Sequence, residues 1–563
     1  MLLILISWCY ILFTTLTLGI AFDKITKLKS TNFVVLIFLG LFTTTLLASF
    51  WAFFGRINIE FNLFLLAINA VICFKYKSEL LSLCQTFFTE ISALSKALKL
   101  FLLLLAILIL AQSAAAPYFI DNETYYIQTI KWLNEYGFVK GLANLHIFLA
   151  QTSGWHIAQS AFSFSFLYPN FNDINGFSVL LINLFAVLKL NAFNSTKNRE
   201  ALLIGILPLA NLFFFQFISS PSPDLAVYVI SCLLFYYFLK HFYSITSEVL
   251  NLIVILALFI IYIKITALPI ILLPIALLLL NFKKLILKID QIAIVSLLVL
   301  GLFIAKNVII SGYPLFPSTY FKDTIAQSYA LPIEINQFWF NTAKMYDIVV
   351  NRSEFHYLSS FDIFIKWLFC SKIDSVFNCT TLLLVLIIPV FLYRFLNTKA
   401  YWVLYLTMLL QLVFLFLSSP QYRFILQFVL IFGFLLIAHF IKKVKPLVFL
   451  FYVSLIPIVI TLILPIQTST LLQYADKSFN LENVIFPSKN SNINTSYHKA
   501  KIDNLSYFSP DSKTYIWVTG NGNLPCVNEV QLKYFEQGFF YIPQQRSTDL
   551  KDGFYAQKIS VHE

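Results

Sequence analysis

Charge is what this sequence has least of. Asp, Glu, Lys and Arg make up 12% of its 563 residues, about half of the roughly 25% found in soluble domains. With 59% of residues hydrophobic there is too little polar surface to cover the apolar part. A mean hydropathy of +0.80 excludes a water-soluble globule. The seven cysteines form no CxxC pair and no Cys/His cluster, so no zinc site is expected. The first 21 residues lack both a charged leader and a small-residue cleavage site, and read as a retained first span rather than a signal peptide. No internal repeat is visible. A net charge of +12 is of the sign that nucleic acid attracts. The Lys and Arg residues instead fall in short blocks between apolar runs, as topology signals do, so no nucleic-acid partner is expected.

What the chain has in excess is apolar runs near the 20 residues that a bilayer crossing needs. About fourteen are found, near 2–21, 32–55, 58–74, 98–117, 174–192, 201–218, 225–239, 249–263, 267–281, 289–307, 380–393, 400–417, 424–441 and 447–466. Alternate connections carry the basic residues. These are Lys24, Lys27 and Lys29, then Lys75, Lys77, Lys96 and Lys99, then Lys197 and Arg199, then Lys240. Lys283, Lys284 and Lys288, Arg394 and Lys399, and Lys442, Lys443 and Lys445 complete the set. The opposite connections are nearly bare, with Arg56 and Lys264 as the main exceptions. Basic loops stay cytoplasmic, and an even number of spans then puts both termini outside.

Segments 118–173, 219–224, 311–360, 418–423 and 467–563 accordingly share the outer face. The last is much more polar than the rest. Within it Thr514–Thr519 (TYIWVT) reads as a strand before a Gly520–Gly522 turn. The expected architecture is an all-α polytopic membrane protein with a small mixed α/β C-terminal domain on the outer side. Residues 1–96 are read as accessory N-terminal helices. Residues 97–466 form the transmembrane core with outer loops 118–173 and 311–360, and 467–563 form the extracytoplasmic domain.

Five outer constellations could carry chemistry. Asp121-Asn122-Glu123 follows the fourth span. Its carboxylates can serve as a base or hold a divalent metal, or simply cap and favour an interfacial helix. Being two apart they do not share a helix face, so both would reach one site only from a turn. Ser219-Ser220-Pro221-Ser222-Pro223-Asp224 is a tight connection whose Asp224 either caps the next helix or shapes the outer cavity. Lys264 lies between two apolar runs, and either snorkels or neutralises a lipid phosphate. Gly312-Tyr313-Pro314-Leu315-Phe316-Pro317 is a rigid irregular loop, a plain turn or a cavity wall. Arg423, in Ser418-Ser419-Pro420-Gln421-Tyr422-Arg423, starts a helix from the outer side. It opposes both the topology rule and the helix dipole, objections that a bound phosphate would remove; the alternative is a headgroup anchor. Trp155 and His156 can stack on a sugar or reach a hydroxyl, or be interface residues. Cys370 and Cys379 can pair in an oxidising compartment.

In this order and on one face, four of these motifs resemble the GT-C superfamily of membrane glycosyltransferases, in its bacterial dolichyl-phosphate-mannose-mannosyltransferase-like branch. They are Asp121-Asn122-Glu123-Thr124-Tyr125-Tyr126, Ser220-Pro221-Ser222-Pro223-Asp224, Gly312-Tyr313-Pro314-Leu315-Phe316-Pro317 and Ser419-Pro420-Gln421-Tyr422-Arg423, spread over 120–425. The resemblance implies a GT-C-like core and an inverting transfer of a sugar from a polyprenyl-phosphate carrier. The acceptor is a glycan, lipid or protein at the outer face of the cell (inner) membrane. It implies Asp121 as catalytic base with Glu123 as its neighbouring candidate, and Arg423 and Lys264 as ligands of the carrier phosphate. Asp224, Tyr313, His156 and Trp155 are further substrate-binding candidates. Some relatives use a divalent metal at the acidic site. Here the acidic loop follows the fourth span rather than the first, and a His-Pro-Pro element is absent, with His146 and His156 near its place. Two other classes compete, a transporter or flippase of a lipid-linked glycan and a glycan polymerase or ligase. The first would place charges at the bilayer midplane, and the second would need Arg-rich outer loops.

Overall fold

A computed structural model describes residues 1–169, 173–285, 290–321, 327–345, 352–355, 357–370, 373–441, 443–464, 479–511 and 515–559, with four single positions between them. Lys288, Lys442 and Thr514 of the sequence reading lie outside the described residues.

The apolar runs form helices because no other structure satisfies every backbone polar group within its own segment. In chain order the first are α1 (Leu2–Thr26), α2 (Phe33–Trp51), α3 (Ile59–Lys75), α4 (Lys77–Ser92) and α5 (Lys96–Ala114). Next come α6 (Ile127–Glu135), α7 (Gly154–Ala161), α8 (Ile174–Thr196), α9 (Arg199–Gly205), α10 (Asn211–Phe215), α11 (Pro223–His241) and α12 (Ser247–Ile263). They continue as α13 (Leu272–Leu280), α14 (Phe282–Leu285), α15 (Asp290–Ser311), α16 (Ile333–Met345), α17 (Arg352–Phe355) and α18 (Ser360–Leu368). The last of the bundle are α19 (Ile373–Phe395), α20 (Lys399–Ser418), α21 (Leu426–Phe440) and α22 (Val444–Ile463). Polar residues set the starts: Asn32, Ser95 and Thr246 accept N–H bonds from the first turns of α2, α5 and α12.

Among the described residues nine helices are long and apolar enough to cross a bilayer, or ten if α3 and α4, bent by 85°, make one span. The protein is a multi-pass membrane protein. The run at 201–218 is not one helix but α9, a 3-10 turn at Leu207–Ala210 and α10. Pro208, without an N–H, cannot continue the ladder there. α2 and α11 are central, burying 83% and 89% of their most apolar stretch in the protein, whereas α15 and α22 bury 28% and present Leu or Phe side chains outward.

The two ends of the bundle differ in chemistry. Lys24 lies 3.9 Å from Glu79, Lys29 lies 3.0 Å from Glu248, and Lys284 donates to the Ile245 carbonyl at 2.7 Å. The backbone N–H of Lys399 donates to the Tyr243 hydroxyl. The basic connections around α1–α4, α11–α14 and α19–α20 thus meet at one end. The C-terminal domain sits at the other, where Lys551 donates to the Phe54 carbonyl and the Phe554 N–H to the Lys140 carbonyl.

That domain holds two antiparallel pairs, β1 (Tyr497–Ile502) with β2 (Leu505–Pro510) and β3 (Tyr541–Gln545) with β4 (Phe554–Lys558), plus helix α23 (Glu529–Phe539). The strand expected over 514–519 is replaced by turns over 515–519. Its backbone bonds outward instead: the Thr519 N–H donates to the Glu123 carbonyl, and the Trp517 carbonyl faces His146 Nε2 at 3.2 Å. The Gly520 turn holds, with a left-handed φ of 55°. Cys370 and Cys379 are not joined: Cys379 Sγ donates to the Leu368 carbonyl and Cys370 Sγ accepts from Asn378.

α1 and α2 pack with almost no side chain between them. A Cβ on Gly40 would lie 1.7 Å from the Thr15 carbonyl oxygen, and one on Gly19 would lie 1.9 Å from that of Leu36. Small residues allow such backbone approach between membrane helices. Gly40→Val should therefore lower stability by about 1–3 kcal/mol or more, read as a fall in the thermal midpoint in detergent. A midpoint equal to that of the wild type would refute this packing.

Candidate functional site

Asp121 follows α5 and precedes a π-helical turn, Asn122–Tyr126, that runs into α6. The turn points the two carboxylates of the motif in different directions. Asp121 lines a pocket, 15% exposed at its side chain. Glu123 is fully buried on the other side, accepting from the Ser491 hydroxyl (2.6 Å) and the Asn492 N–H (2.9 Å) of the C-terminal segment. The pairing of Asp121 and Glu123 at one site is thereby corrected, and the reason is the spacing: residues two apart leave a helical turn on different faces. Glu123 fastens the C-terminal domain to the segment between α5 and α6.

Asp224 is placed by the Ser-Pro turn. Asn175 Nδ2 donates to the carbonyls of Phe217, Ser220 and Ser222 (2.7–3.2 Å), which folds 217–222 around one amide. Pro223 then starts α11 with Asp224 in its first turn. Trp155 Nε1 donates to Asn175 Oδ1, so Trp155 supports this turn and is not a pocket wall. His156 also lies behind the pocket. Its Nδ1 accepts from the Ser153 N–H and its ring packs on Tyr126 at 4.8 Å. Burial pushes it down to about 3, so it is neutral there. Tyr313 is buried with its hydroxyl on the Leu331 carbonyl, while Phe316 and Pro317 of the same motif reach the pocket. Trp155, His156 and Tyr313 are thus corrected from ligand contacts to supports: none of them lines the pocket. The Trp155 indole N–H and the Tyr313 hydroxyl are engaged elsewhere, and His156 is held through Nδ1 while its Nε2 has no hydrogen-bond partner among the described residues.

Four charged side chains converge. Arg423, in a 3-10 turn at Tyr422–Phe424 after α20, reaches Asp121 Oδ2 at 2.7 Å and Asp224 Oδ2 at 3.4 Å. Its Nε donates to Gln421 Oε1. Lys264, at the C-terminus of α12, pairs with Asp224 Oδ1 and lies 3.7 Å from the centroid of the Phe424 ring. The order is Asp121, Arg423, Asp224, Lys264, two negative and two positive. Arg423 is thus engaged by carboxylates, which answers its position against the helix dipole.

The pocket over this cluster holds about 250 Å³. Its lining includes the polar and charged Asp121, Lys264, Gln421 and Arg423 and the aromatic Phe148, Trp339, Tyr515 and Trp517, of which the rings of Phe148, Trp339 and Trp517 are in mutual contact. Tyr515 and Trp517 come from the C-terminal domain. Sequence reasoning missed these aromatics because 61 Phe and 29 Tyr hide any single ring. It gave no role to Lys306, yet an ionisable residue inside an apolar run is itself a signal. Lys306 lines the same pocket. A divalent metal fits poorly. Among the described residues no three His, Cys, Asp or Glu gather, and Arg423 and Lys264 occupy the space between the two carboxylates where an ion would need oxygen ligands.

A buried pair costs most when one member is removed, about 3–5 kcal/mol, and little when both go. Asp224→Asn should therefore destabilise by about that amount, by leaving Lys264 beside Arg423. Adding Lys264→Met should restore most of the loss in chemical or thermal unfolding. A double variant as unstable as Asp224→Asn would show that the pairing is not what matters. Burial raises Glu123 from 4.5 to about 7, against the bonds from Ser491 and Asn492 that favour its charged form. Folding then takes up a proton. The contribution is complete below about 4.5 and is lost as pH rises towards 7, to a total of about 3 kcal/mol. Glu123→Gln should flatten the thermal midpoint over that window; an unchanged pH slope would contradict this.

No curated protein and no solved structure matches the chain. A family model described as a domain of unknown function (DUF8201) matches residues 1–430, which include all four charged residues of the cluster and stop before α22 and the C-terminal domain. The match spans well over half of the 563 residues, and the chain belongs to this family.

Proposed function

We propose that the protein is a GT-C-like membrane glycosyltransferase. It moves a sugar from a polyprenyl-phosphate carrier to a glycan, lipid or protein acceptor at the outer face of the cell membrane. The observation that carries the reading is convergence. Motifs more than 300 residues apart, at Asp121, Asp224, the Gly312 loop and Arg423, meet at one pocket. The pocket lies at the end of the bundle away from the basic connections. With that end outside, the nine long helices, the bent α3–α4, the three shorter apolar helices and the broken α9–α10 are consistent with fourteen crossings and both termini outside.

Such a site can perform a single displacement. The acceptor oxygen approaches the anomeric carbon and bonds to it. The bond from that carbon to the phosphate oxygen breaks, with its electron pair going to the phosphate. Asp121, held by Arg423, takes the acceptor's proton. Attack opposite the leaving group inverts the anomeric configuration. Positive groups near the leaving phosphate stabilise charge that grows in the transition state. The aromatic wall of Phe148, Trp339 and Trp517 supplies apolar surface for a ring. The described spans carry few charges away from their ends, which disfavours a transporter with ionisable groups at the midplane.

Asp121→Asn keeps the size of the side chain and removes the base. Envelope-glycan transfer should fall by about 100-fold or more at equal protein level. Unchanged glycans beside a working wild-type control would sink the assignment.

A further inference from the structure

The pocket contains one cation more than it can cancel. Asp121 and Asp224 are matched by Arg423 and Lys264. Lys306 is the remainder. It sits in the outer part of α15, is 3% exposed, and lines the pocket. Among the described residues no carboxylate lies within ion-pair distance of it. Its ammonium donates to the Thr152 carbonyl at 2.5 Å and faces the Phe303 ring at 5.3 Å. Lys carries three donors, so two are left. An uncompensated ammonium at this depth is costly, and such residues mark ligand paths.

We propose that Lys306 receives the phosphoryl oxygens of the lipid-linked donor. The assignment rests on the glycosyltransferase reading and changes which cation meets the phosphate. Arg423 and Lys264 are each held by a carboxylate, and an incoming anion at either would have to displace Asp121 or Asp224. At Lys306 it displaces nothing. One unmatched positive charge suits the single negative charge of a phosphodiester. When the bond to the sugar breaks, the phosphate gains a second negative charge beside the same ammonium. α15 also supplies a path for the tail. It buries only 28% of its apolar stretch, and Leu297, Leu298 and Leu300 are exposed on it. A lipid lying along α15 would bring its headgroup to Lys306 from the bilayer.

The test uses the full chain in nanodiscs and direct binding of three probes: polyprenyl monophosphate, uncharged polyprenol and inorganic phosphate. Lys306→Met should weaken polyprenyl monophosphate by about 10- to 100-fold, the range for losing a hydrogen bond to a charged group. It should leave polyprenol unchanged, and Lys306→Arg should recover most of the loss. The thermal midpoint of Lys306→Met should equal or exceed that of the wild type, because a buried lone charge is removed. This separates the role from a structural one. Equal binding of polyprenyl monophosphate by wild type and Lys306→Met would overturn the assignment and leave the enzyme reading intact. Binding of inorganic phosphate that depends on Lys306, without binding of the lipid, would overturn the lipid donor and the glycosyl-transfer reading with it.

Discussion

The structure depends on a row of four side chains, acid and base in alternation, placed where a charge alone would not survive. Asp121, Arg423, Asp224 and Lys264 come from the segment between α5 and α6, the turn before α21, the start of α11 and the end of α12. Each is mostly buried, and a lone buried ion costs several kcal/mol. The cost is met only when all four segments are in register. The row therefore acts as a selection on the bundle: helices that pack on apolar surface alone can slide, but these ends cannot. The Asn175 amide performs the same selection with neutral groups, closing 217–222 around one side chain. Together they fix the register at the end of the bundle that carries the pocket, where apolar spans of similar composition would not.

Two adjacent acids show how a single turn divides labour. Asp121 and Glu123 look alike in sequence, and a π-helical turn sends one to the pocket and the other into the interface with the C-terminal domain. Glu123 does so with its carbonyl as well as its carboxyl, accepting from the N–H groups of Thr519 and Gly520. The C-terminal domain is thus anchored two residues from the proposed base and hangs Tyr515 and Trp517 over the same pocket. The position of Asp121 and the aromatic wall are set by one interface.

Much of the fold was legible because bilayer crossing imposes length and apolarity on each segment. The boundaries of α11, α12 and α20 fall within a few residues of the apolar runs. The exceptions are local: Pro208 breaks one run, and the segment at 515–519 gives its backbone bonds to Glu123 and His146 rather than to a partner strand. In the site, the legible residues were those whose charge contradicts their place, namely Arg423 and Lys264 on the sparse side. Their carboxylate partners stood at helix starts, where capping alone would also put them. Trp155, His156 and Tyr313 were illegible as supports, since what an aromatic does is decided by which carbonyl or amide meets its polar atom. That information is long-range: Trp155 meets Asn175, and Tyr313 meets Leu331.

The row of four and Lys306 separate two demands that are usually placed on the same cations. A charge that holds a fold together must be matched in the resting protein. A charge that binds an anion must be unmatched there, or binding must first break what is holding. Arg423 and Lys264 satisfy the first condition and Lys306 the second. In the proposed reaction this division has a further consequence. Asp121 keeps Arg423 as its partner when the donor arrives. Phosphate bound to Arg423 instead would loosen the proposed base at the moment it is needed. A site with its fold-holding pairs closed and one cation left over admits the anion without disturbing the carboxylate that is to accept the proton.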